Sequence, residues 1–190
     1  MNPGRRIRYF VAYCLGLILG YALYIPGRTL PGFPVGGPGD FASFYTAAVI
    51  IRDGNGSRLY DLDLQSEVQQ AYLVPHGWRY EGDLLPYINP PFLAVFLVPL
   101  TFLPMAWAYH SWNLLNFLII VFCIRTFTQG PALGRPFLVR VVTVFSFFPV
   151  FEGLWQGQSS FIVLLAFTLT YRALRRNREG EAGVALALDW

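Results

Sequence analysis

The residue best placed to do chemistry in this sequence is a single acid, Asp40, which lies between a turn and an apolar run. The turn is Gly36-Gly37-Pro38-Gly39, and the helix-compatible run covers residues 41–51. A carboxylate in this position can act as a general base if it lies within about 2.6–3.2 Å of a substrate hydroxyl. Aspartate is also a preferred N-cap residue, so the same pattern predicts a helix cap. The two roles are compatible, because a helix N-terminus stabilises an ionised carboxylate.

A second polar stretch follows, Asp53-Gly54-Asn55-Gly56-Ser57-Arg58-Leu59-Tyr60-Asp61, and its Gly-Asn-Gly unit predicts a turn. Aromatic residues that can pack against a sugar ring occur in and after this stretch: Tyr60, Tyr72, Trp78, Tyr80 and Tyr87. Tyr and Trp are also enriched at membrane–water interfaces, which is the interpretation we favour for most of them. The cations available to a phosphate group in this part of the chain are Arg52, Arg58 and Arg79.

Several classes of site have no motif in the sequence. His76 and His110 are the two histidines and lie far apart, so there is no His-rich metal motif, although a divalent metal remains an open question. The chain lacks a Gly-x-x-x-x-Gly-Lys loop and a Gly-x-Ser-x-Gly elbow, which argues against an ATPase or a serine hydrolase. Its arginines are scattered, so no nucleic-acid partner is expected. Cys14 and Cys123 lie in apolar runs and are predicted to be buried thiols.

The composition predicts an all-α, polytopic membrane protein. Hydrophobic residues make up 55% of the chain and charged residues 13%, about half of the roughly 25% that soluble domains carry. Apolar stretches predict membrane spans at 9–25, 105–124, 137–151 and 159–174, and the start of a further span at 182–190. We expect residues 26–104 to form a long outer loop. Its last segment, 90–103, is short and proline-rich, so we expect it to lie at the membrane surface within a single transmembrane domain, 1–190.

The basic residues predict the orientation. Arg5, Arg6 and Arg8 precede the first span, which favours a cytoplasmic N-terminus. If 90–103 does not cross, the later basic clusters are also cytoplasmic, and Asp40 lies outside together with the turn Glu152–Gln158. That turn is either a plain connection or a second wall of the Asp40 site. All 14 basic residues are Arg, which is typical of a high-GC bacterium. For a multi-span protein of such a source, we expect a location in the inner membrane.

An ordered set of short motifs resembles glycosyltransferase family 87, the polyprenyl-phosphate-dependent, mannosyltransferase-like enzymes of bacterial membranes. The set comprises Asp40 with Tyr45 and Ala47-Ala48, Gly54 and Gly56 with Leu59-Tyr60-Asp61, Tyr87-x-Asn89-Pro90-Pro91, Pro99-Leu100-x-x-Leu103-Pro104, Trp112-x-x-x-Asn116, and Gly157-Gln158. The resemblance extends over residues 5–185 and is to the N-terminal part of these enzymes. Since family members are usually longer, it predicts that the chain is part of a larger enzyme.

The resemblance implies a C-type glycosyltransferase fold, in which the first outer loop carries the catalytic acid and helices that lie along the membrane. It makes Asp40 the general base and 90–103 a juxtamembrane element. Related enzymes often carry an acid after the second outer turn, so Glu152 becomes a further candidate. The residues expected to bind substrate are Tyr45, Arg52, Arg58, Tyr60, Tyr87, Asn89, Glu152 and Gln158.

The predicted function is inverting transfer of a hexose such as mannose from polyprenyl phosphate to a lipid or polysaccharide acceptor, outside the membrane. A transporter or flippase is the first alternative, but it would need ionisable groups deep in several spans. Here those groups are concentrated in the loops. A non-catalytic membrane scaffold is the second alternative, and it would place no demand on an acid at position 40.

Overall fold

The computed structural model describes residues 3–29, 39–76, 84–127 and 137–187. Every regular element in these ranges is helical, which confirms the predicted all-α class for the described residues. The α-helices are α1 (Pro3–Thr29), α2 (Asp40–Arg52), α3 (Leu62–Leu73), α4 (Pro91–Leu97), α5 (Met105–Phe127), α6 (Phe137–Phe145), α7 (Phe148–Gln156), α8 (Ser160–Leu174) and α9 (Glu179–Ala187). Short 3-10 helices occupy Gly56–Arg58, Val74–His76 and Val98–Phe102.

Helix α5, with 23 residues, is the one helix of the described ranges that is long and apolar enough to cross a bilayer alone. Helices α6 and α7 together pass the same test but are bent by 66° at their junction. The segment predicted as one span, 137–151, therefore contains a break. Pro149 explains it, because proline lacks an N–H group and its ring clashes with the carbonyl four residues earlier, that of Phe145, where α6 ends. The polytopic arrangement stays a prediction.

The chain divides into two compact units. Unit 1 consists of Met1–Gly20, Leu114–Leu154 and Ser159–Trp190, and unit 2 of Tyr21–Asn113 and Trp155–Gln158. The single transmembrane domain and the other predicted span boundaries stay predictions.

The core of unit 1 is built from apolar side chains of α5 and α8. Ile119, Ile120, Cys123 and Ile124 pack with Phe161, and all five are buried. The hydroxyl of Thr168 donates to the Cys123 sulfur at 3.1 Å, so this polar group is satisfied inside the core. Both cysteines are free and buried, which confirms the prediction of buried thiols.

Helix α2 is the centre of unit 2. Ten consecutive residues, 41–50, are buried, so the helix is covered on all sides, and α3, α4 and the 3-10 helix Val98–Phe102 pack against it. A helix that is apolar all round is expected in the interior of a protein. The predicted Gly-Asn-Gly turn ends this helix. Gly54 has φ +80°, and the Asn55 N–H donates to the Ile50 carbonyl at 3.0 Å in a Schellman-type cap.

Two buried glutamines of α3 hold the extended segment that leads into α4. Gln65 Oε1 accepts from the Tyr87 N–H at 2.7 Å, and Gln69 Oε1 accepts from the Leu85 N–H at 2.8 Å. The Gln69 amide also donates to the Leu85 carbonyl at 3.0 Å. Four residues of a helix rise about 6 Å and two residues of extended chain about 6.6 Å, so the two spacings match. The side-chain amides thus act as a strand partner.

Candidate functional site

Asp40 is the first residue of α2 and not its cap. The N-cap is Gly39, at φ +52° and ψ −136°, and no side chain makes a capping hydrogen bond. The interpretation of Asp40 as an N-cap is therefore wrong. Because Gly39 takes a positive φ that favours glycine, the cap position falls one residue earlier. The Ser43 hydroxyl donates to the Asp40 backbone carbonyl at 2.8 Å, which leaves the carboxylate for other contacts.

The end of α7 and the turn that follows it, residues 155–158, lie beside the start of α2. Two residues of α5 hold this segment, which we call the 155–158 turn. The Tyr109 hydroxyl donates to the Trp155 carbonyl and the Trp112 indole N–H donates to the Gly157 carbonyl, both at 2.7 Å. Tyr109 and Trp112 are three residues apart, so they share one face of the helix. Both are buried, and their polar atoms would be costly to leave without partners. The turn is therefore firmly fixed on α5.

Two glycines allow the turn and the start of α2 to pack backbone against backbone. A Cβ atom on Gly39 would lie 2.6 Å from the Gln156 Cα. A Cβ atom on Gly157, which has φ +64°, would lie 2.7 Å from the Phe41 Cβ. Both distances are shorter than real Cβ contacts, so neither position has room for a side chain. The two segments interlock.

This interlock brings Asp40 and Gln158 together. The Gln158 side chain hydrogen-bonds the Asp40 carboxylate. Partial burial raises the pKa of Asp40 above its ordinary value, and the Gln158 hydrogen bond opposes this rise. A raised pKa makes the carboxylate a stronger base, and the Gln158 amide fixes its orientation.

A second group of predicted residues, Tyr60, Tyr87 and Asn89, is also brought together. The Tyr60 and Tyr87 rings stack with centroids 6.2 Å apart, and the Tyr60 hydroxyl donates to the Asn89 carbonyl at 2.9 Å. Tyr60 is 52% exposed, whereas Tyr87 is buried, and burial raises the pKa of Tyr87 to about 12. Phe44 meets Tyr87 edge-on at 6.3 Å and follows Asp40 by four residues, so Asp40 and Phe44 share a face of α2.

Tyr45 and Arg52 hold α2 to the segment that follows α4. The Tyr45 hydroxyl donates to the Leu103 carbonyl at 3.1 Å. Arg52 donates from its three nitrogens, to Asp53 at 2.8 Å, to the Thr101 carbonyl at 3.0 Å and to the Tyr72 hydroxyl at 3.2 Å. Asp40 and Arg52 are the two ends of α2, about 18 Å apart at 1.5 Å per residue. The structure therefore does not bring Arg52 to the Asp40 carboxylate.

The remaining candidate residues are not shown in contact with Asp40 or with the Tyr60–Tyr87 pair. Arg58 pairs with Asp61 at 2.6 Å on the surface, and Asp61 caps α3 by accepting from the Asp63 and Leu64 N–H groups. Glu152 lies on α7 and belongs to unit 1. Arg79, with Trp78 and Tyr80, lies outside the described residues. Within the described ranges, no three His, Cys, Asp or Glu side chains are grouped so that they could hold a metal ion.

A model of glycosyltransferase family 87 matches residues 87–189, more than half of the chain. The chain belongs to glycosyltransferase family 87. This confirms the resemblance drawn from the motifs, and it identifies the protein as a glycosyltransferase of a family whose members are membrane enzymes. No curated protein and no solved structure matches the chain.

The family 87 match divides the candidate residues. Tyr87, Asn89, Glu152 and Gln158 lie inside it, as do Tyr109 and Trp112, which fix the 155–158 turn. Asp40 and the whole of α2 precede it. The match therefore bears on the turn that contacts the acid and not on the acid itself, and the role of each candidate residue stays a prediction.

Sequence reasoning missed the residues that position the site. Gln65 and Gln69 carry a signal in the sequence, since they are two amides four residues apart on one helix face. Tyr109 belonged to no motif. The sequence allows the 152–158 turn to be a second wall of the Asp40 site, but no local signal marks Gly39 as the residue that meets Gln156, more than one hundred residues later.

Proposed function

We propose that this family 87 protein is a multi-pass enzyme of a bacterial inner membrane that transfers a hexose such as mannose from polyprenyl phosphate. The acceptor is a lipid or glycan hydroxyl on the extracytoplasmic side, and the transfer inverts the anomeric centre. The observation that carries the proposal is the hydrogen bond between Asp40 and Gln158. It ties an acid that precedes the family match to a turn that lies within it.

Asp40 is the general base in this mechanism. Its carboxylate takes the proton from the acceptor hydroxyl while that oxygen forms a bond to the anomeric carbon. The bond from the anomeric carbon to the phosphate oxygen breaks, and polyprenyl phosphate leaves with the electron pair. Burial raises the pKa of Asp40, so the carboxylate is more basic than an aspartate in water. The acid and the substrate hydroxyl must lie within hydrogen-bond reach, and Gln158 supports this by restricting the carboxylate.

The leaving phosphate requires a cation, and the structure favours Arg58 over Arg52 for this role. Arg52 is held by Asp53, Tyr72 and Thr101 at the far end of α2. Arg58 is held by Asp61 alone, and this ion pair is exposed, with 57% and 32% of the side-chain surfaces accessible. Exposed ion pairs contribute little to stability, so Arg58 can exchange Asp61 for a phosphate at small cost.

The stacked pair Tyr60 and Tyr87 is proposed as the wall against which the hexose packs. Tyr60 has an exposed face, and its ring is held by the Tyr87 ring and by its hydroxyl bond to Asn89. Because the ring and the hydroxyl of Tyr60 are both held, its rotamer is already restricted. Tyr60 therefore loses little side-chain entropy when a ligand binds. Phe44 packs on Tyr87 on the face of α2 that begins with Asp40, which supports the assignment of both groups to one site.

The test is sugar transfer from radiolabelled polyprenyl-phosphate mannose in membranes that contain the full chain, for the wild type and for Asp40→Asn. The substitution preserves size but removes the base, so we expect transfer to fall at least a hundredfold at equal protein level. The matched control is Asp63→Asn, which changes an exposed acid in the first turn of α3 and should retain full activity. Undiminished transfer by Asp40→Asn would remove Asp40 from the mechanism.

A further inference from the structure

The end of α8 reverses direction in a Schellman motif that is rich in arginine. Asn177 takes φ +56°, its N–H donates to the Leu174 carbonyl at 3.0 Å, and the Arg178 N–H donates to the Ala173 carbonyl at 3.0 Å. Asparagine tolerates this left-handed conformation better than most residues. The reversal lets α9 pack along α8 within unit 1. The turn and the last helical residues carry four arginines, Arg172, Arg175, Arg176 and Arg178.

A cavity of about 600 Å³ lies between α8 and α9 at this end. One part of its wall is apolar and includes Leu169, Ala173 and Val184, and another part is basic and includes Arg172 and Arg176. The volume is within the roughly 300–1,000 Å³ of small-molecule sites. A smaller cavity of about 230 Å³ shares Arg172 and Arg176. The two arginines therefore border both spaces.

Some of the arginines around the cavity have partners, and others make no ion pair among the described residues. Arg178 and Glu181 also line the cavity, and they are paired with each other at 2.8 Å. The Arg175 guanidinium lies 5.7 Å from the centre of the Tyr171 ring. In the part of the chain that the structure describes, Arg172 and Arg176 make no ion pair. Arg172 lies in the last turn of α8 and Arg176 in the turn that follows it, and both line the same cavity. Like charges repel, so an anion bound between them would relieve this repulsion.

We propose that this cavity binds the phosphodiester headgroup of an anionic phospholipid. The Arg172 and Arg176 guanidinium groups match the geometry of phosphate oxygens, and the apolar wall provides contact for the first carbons of an acyl chain. Arginines that served only to orient the chain in the membrane would need no cavity. The predicted cytoplasmic position of the cluster is also where anionic lipids attract basic groups. The site shares no residue with the Asp40 site and does not depend on the proposed reaction.

The test is a lipid titration of the full chain in detergent, with the thermal unfolding midpoint as the measure of binding. The probes are short-chain phosphatidylglycerol, short-chain phosphatidylcholine and inorganic phosphate. Phosphatidylglycerol should stabilise the wild type at the lowest concentration. The double variant Arg172→Gln/Arg176→Gln should bind it about 30-fold more weakly, from about fivefold per arginine. The matched control, Arg5→Gln/Arg8→Gln, also removes two exposed positive charges of unit 1 and should bind like the wild type.

Three results would overturn the proposal. Equal weakening in both double variants would indicate a general effect of surface charge. If phosphatidylcholine binds as tightly as phosphatidylglycerol, the arginines do not select an anion. If inorganic phosphate binds as tightly as phosphatidylglycerol, the site recognises phosphate and not a lipid. If the double variant unfolds without lipid, the single variant Arg176→Gln takes its place, with an expected loss of about fivefold.

Discussion

The packing of Gly39 against Gln156 predicts the effect of Gly39→Ala. Gly54→Ala serves as its matched control. Both glycines have positive φ, +52° and +80°, so an alanine at either position costs about 1–3 kcal/mol of backbone strain. They differ in their surroundings. Nothing lies within 4 Å of a Cβ atom built on Gly54, whereas a Cβ atom on Gly39 meets the Gln156 Cα at 2.6 Å.

The size of the effect follows from that distance. An ordinary Cβ contact begins at 3.4 Å, so the 155–158 turn and the start of α2 must separate by about 0.8 Å in Gly39→Ala. The Cβ atom would also meet the Gln156 side-chain oxygen, which can move aside, but the Gln156 Cα and carbonyl oxygen are backbone atoms and cannot. Crowding of this kind costs about 1–3 kcal/mol in addition to the backbone strain. A shift of about 1 Å near reacting groups can lower a rate about a hundredfold, and here it would move Gln158 away from Asp40.

Two measurements on the full chain separate the effect on stability from the effect on catalysis. The thermal midpoint in detergent should fall for both variants, and further for Gly39→Ala. Transfer from radiolabelled polyprenyl-phosphate mannose should fall about a hundredfold for Gly39→Ala and less than threefold for Gly54→Ala, because only the first disturbs the Asp40–Gln158 pair. If the two variants have the same stability and the same activity, the interlock of the two turns does not exist as described. A stability difference without an activity difference would keep the interlock and separate it from catalysis.

Two further predictions concern glutamines. Removing the hydrogen bond that opposes the raised pKa of Asp40, with Gln158→Leu, should move the acid limb of the kcat/KM profile to higher pH. That limb should already lie above pH 3.8 in the wild type, since activity requires the ionised carboxylate; an unchanged limb in the variant would contradict the assignment. Gln65→Leu should lower the free energy of unfolding by about 2–4 kcal/mol, because it leaves the Tyr87 N–H and the Leu59 carbonyl without their partner. The exposed Gln70→Leu serves as its control and should change stability by less than about 0.5 kcal/mol, so equal losses would contradict the role of the amide.

The helical class and the positions of most helices could be predicted, because long apolar runs bounded by Gly, Pro and Arg leave few alternatives. The break at Pro149 was also readable from the sequence, since proline at this position removes a backbone donor. The apolar run continues through the proline, so hydropathy alone predicts one unbroken span over 137–151. The predicted cap at Asp40 failed because side-chain preference alone does not report the positive φ of Gly39.

The site could be predicted in its residue types but not in its construction. A carboxylate beside a Gly/Pro turn is a local pattern, and so is the polar turn that contains Gln158. The contacts that join them depend on Tyr109 and Trp112, which reach a turn about 45 residues away. Contacts of that separation leave no local period in a single sequence. The same limit applies to Arg52, whose type suggests phosphate binding although its contacts hold α2 to Tyr72 and Thr101.

The complete burial of α2 has a consequence for how the protein tolerates mutation. Most helices have one face in solvent or lipid, so substitutions along them are accepted and rejected with a period of 3.6 residues. Helix α2 has ten buried residues in a row and no such outer face. A saturation scan across it should give an unbroken block of intolerance, in which enlarging Ala42, Ala47 or Ala48 is as harmful as truncating Phe41 or Phe44. In α3 the buried positions are Gln65, Gln69 and Leu73. The same scan should therefore show intolerant positions about every four residues, separated by tolerant ones.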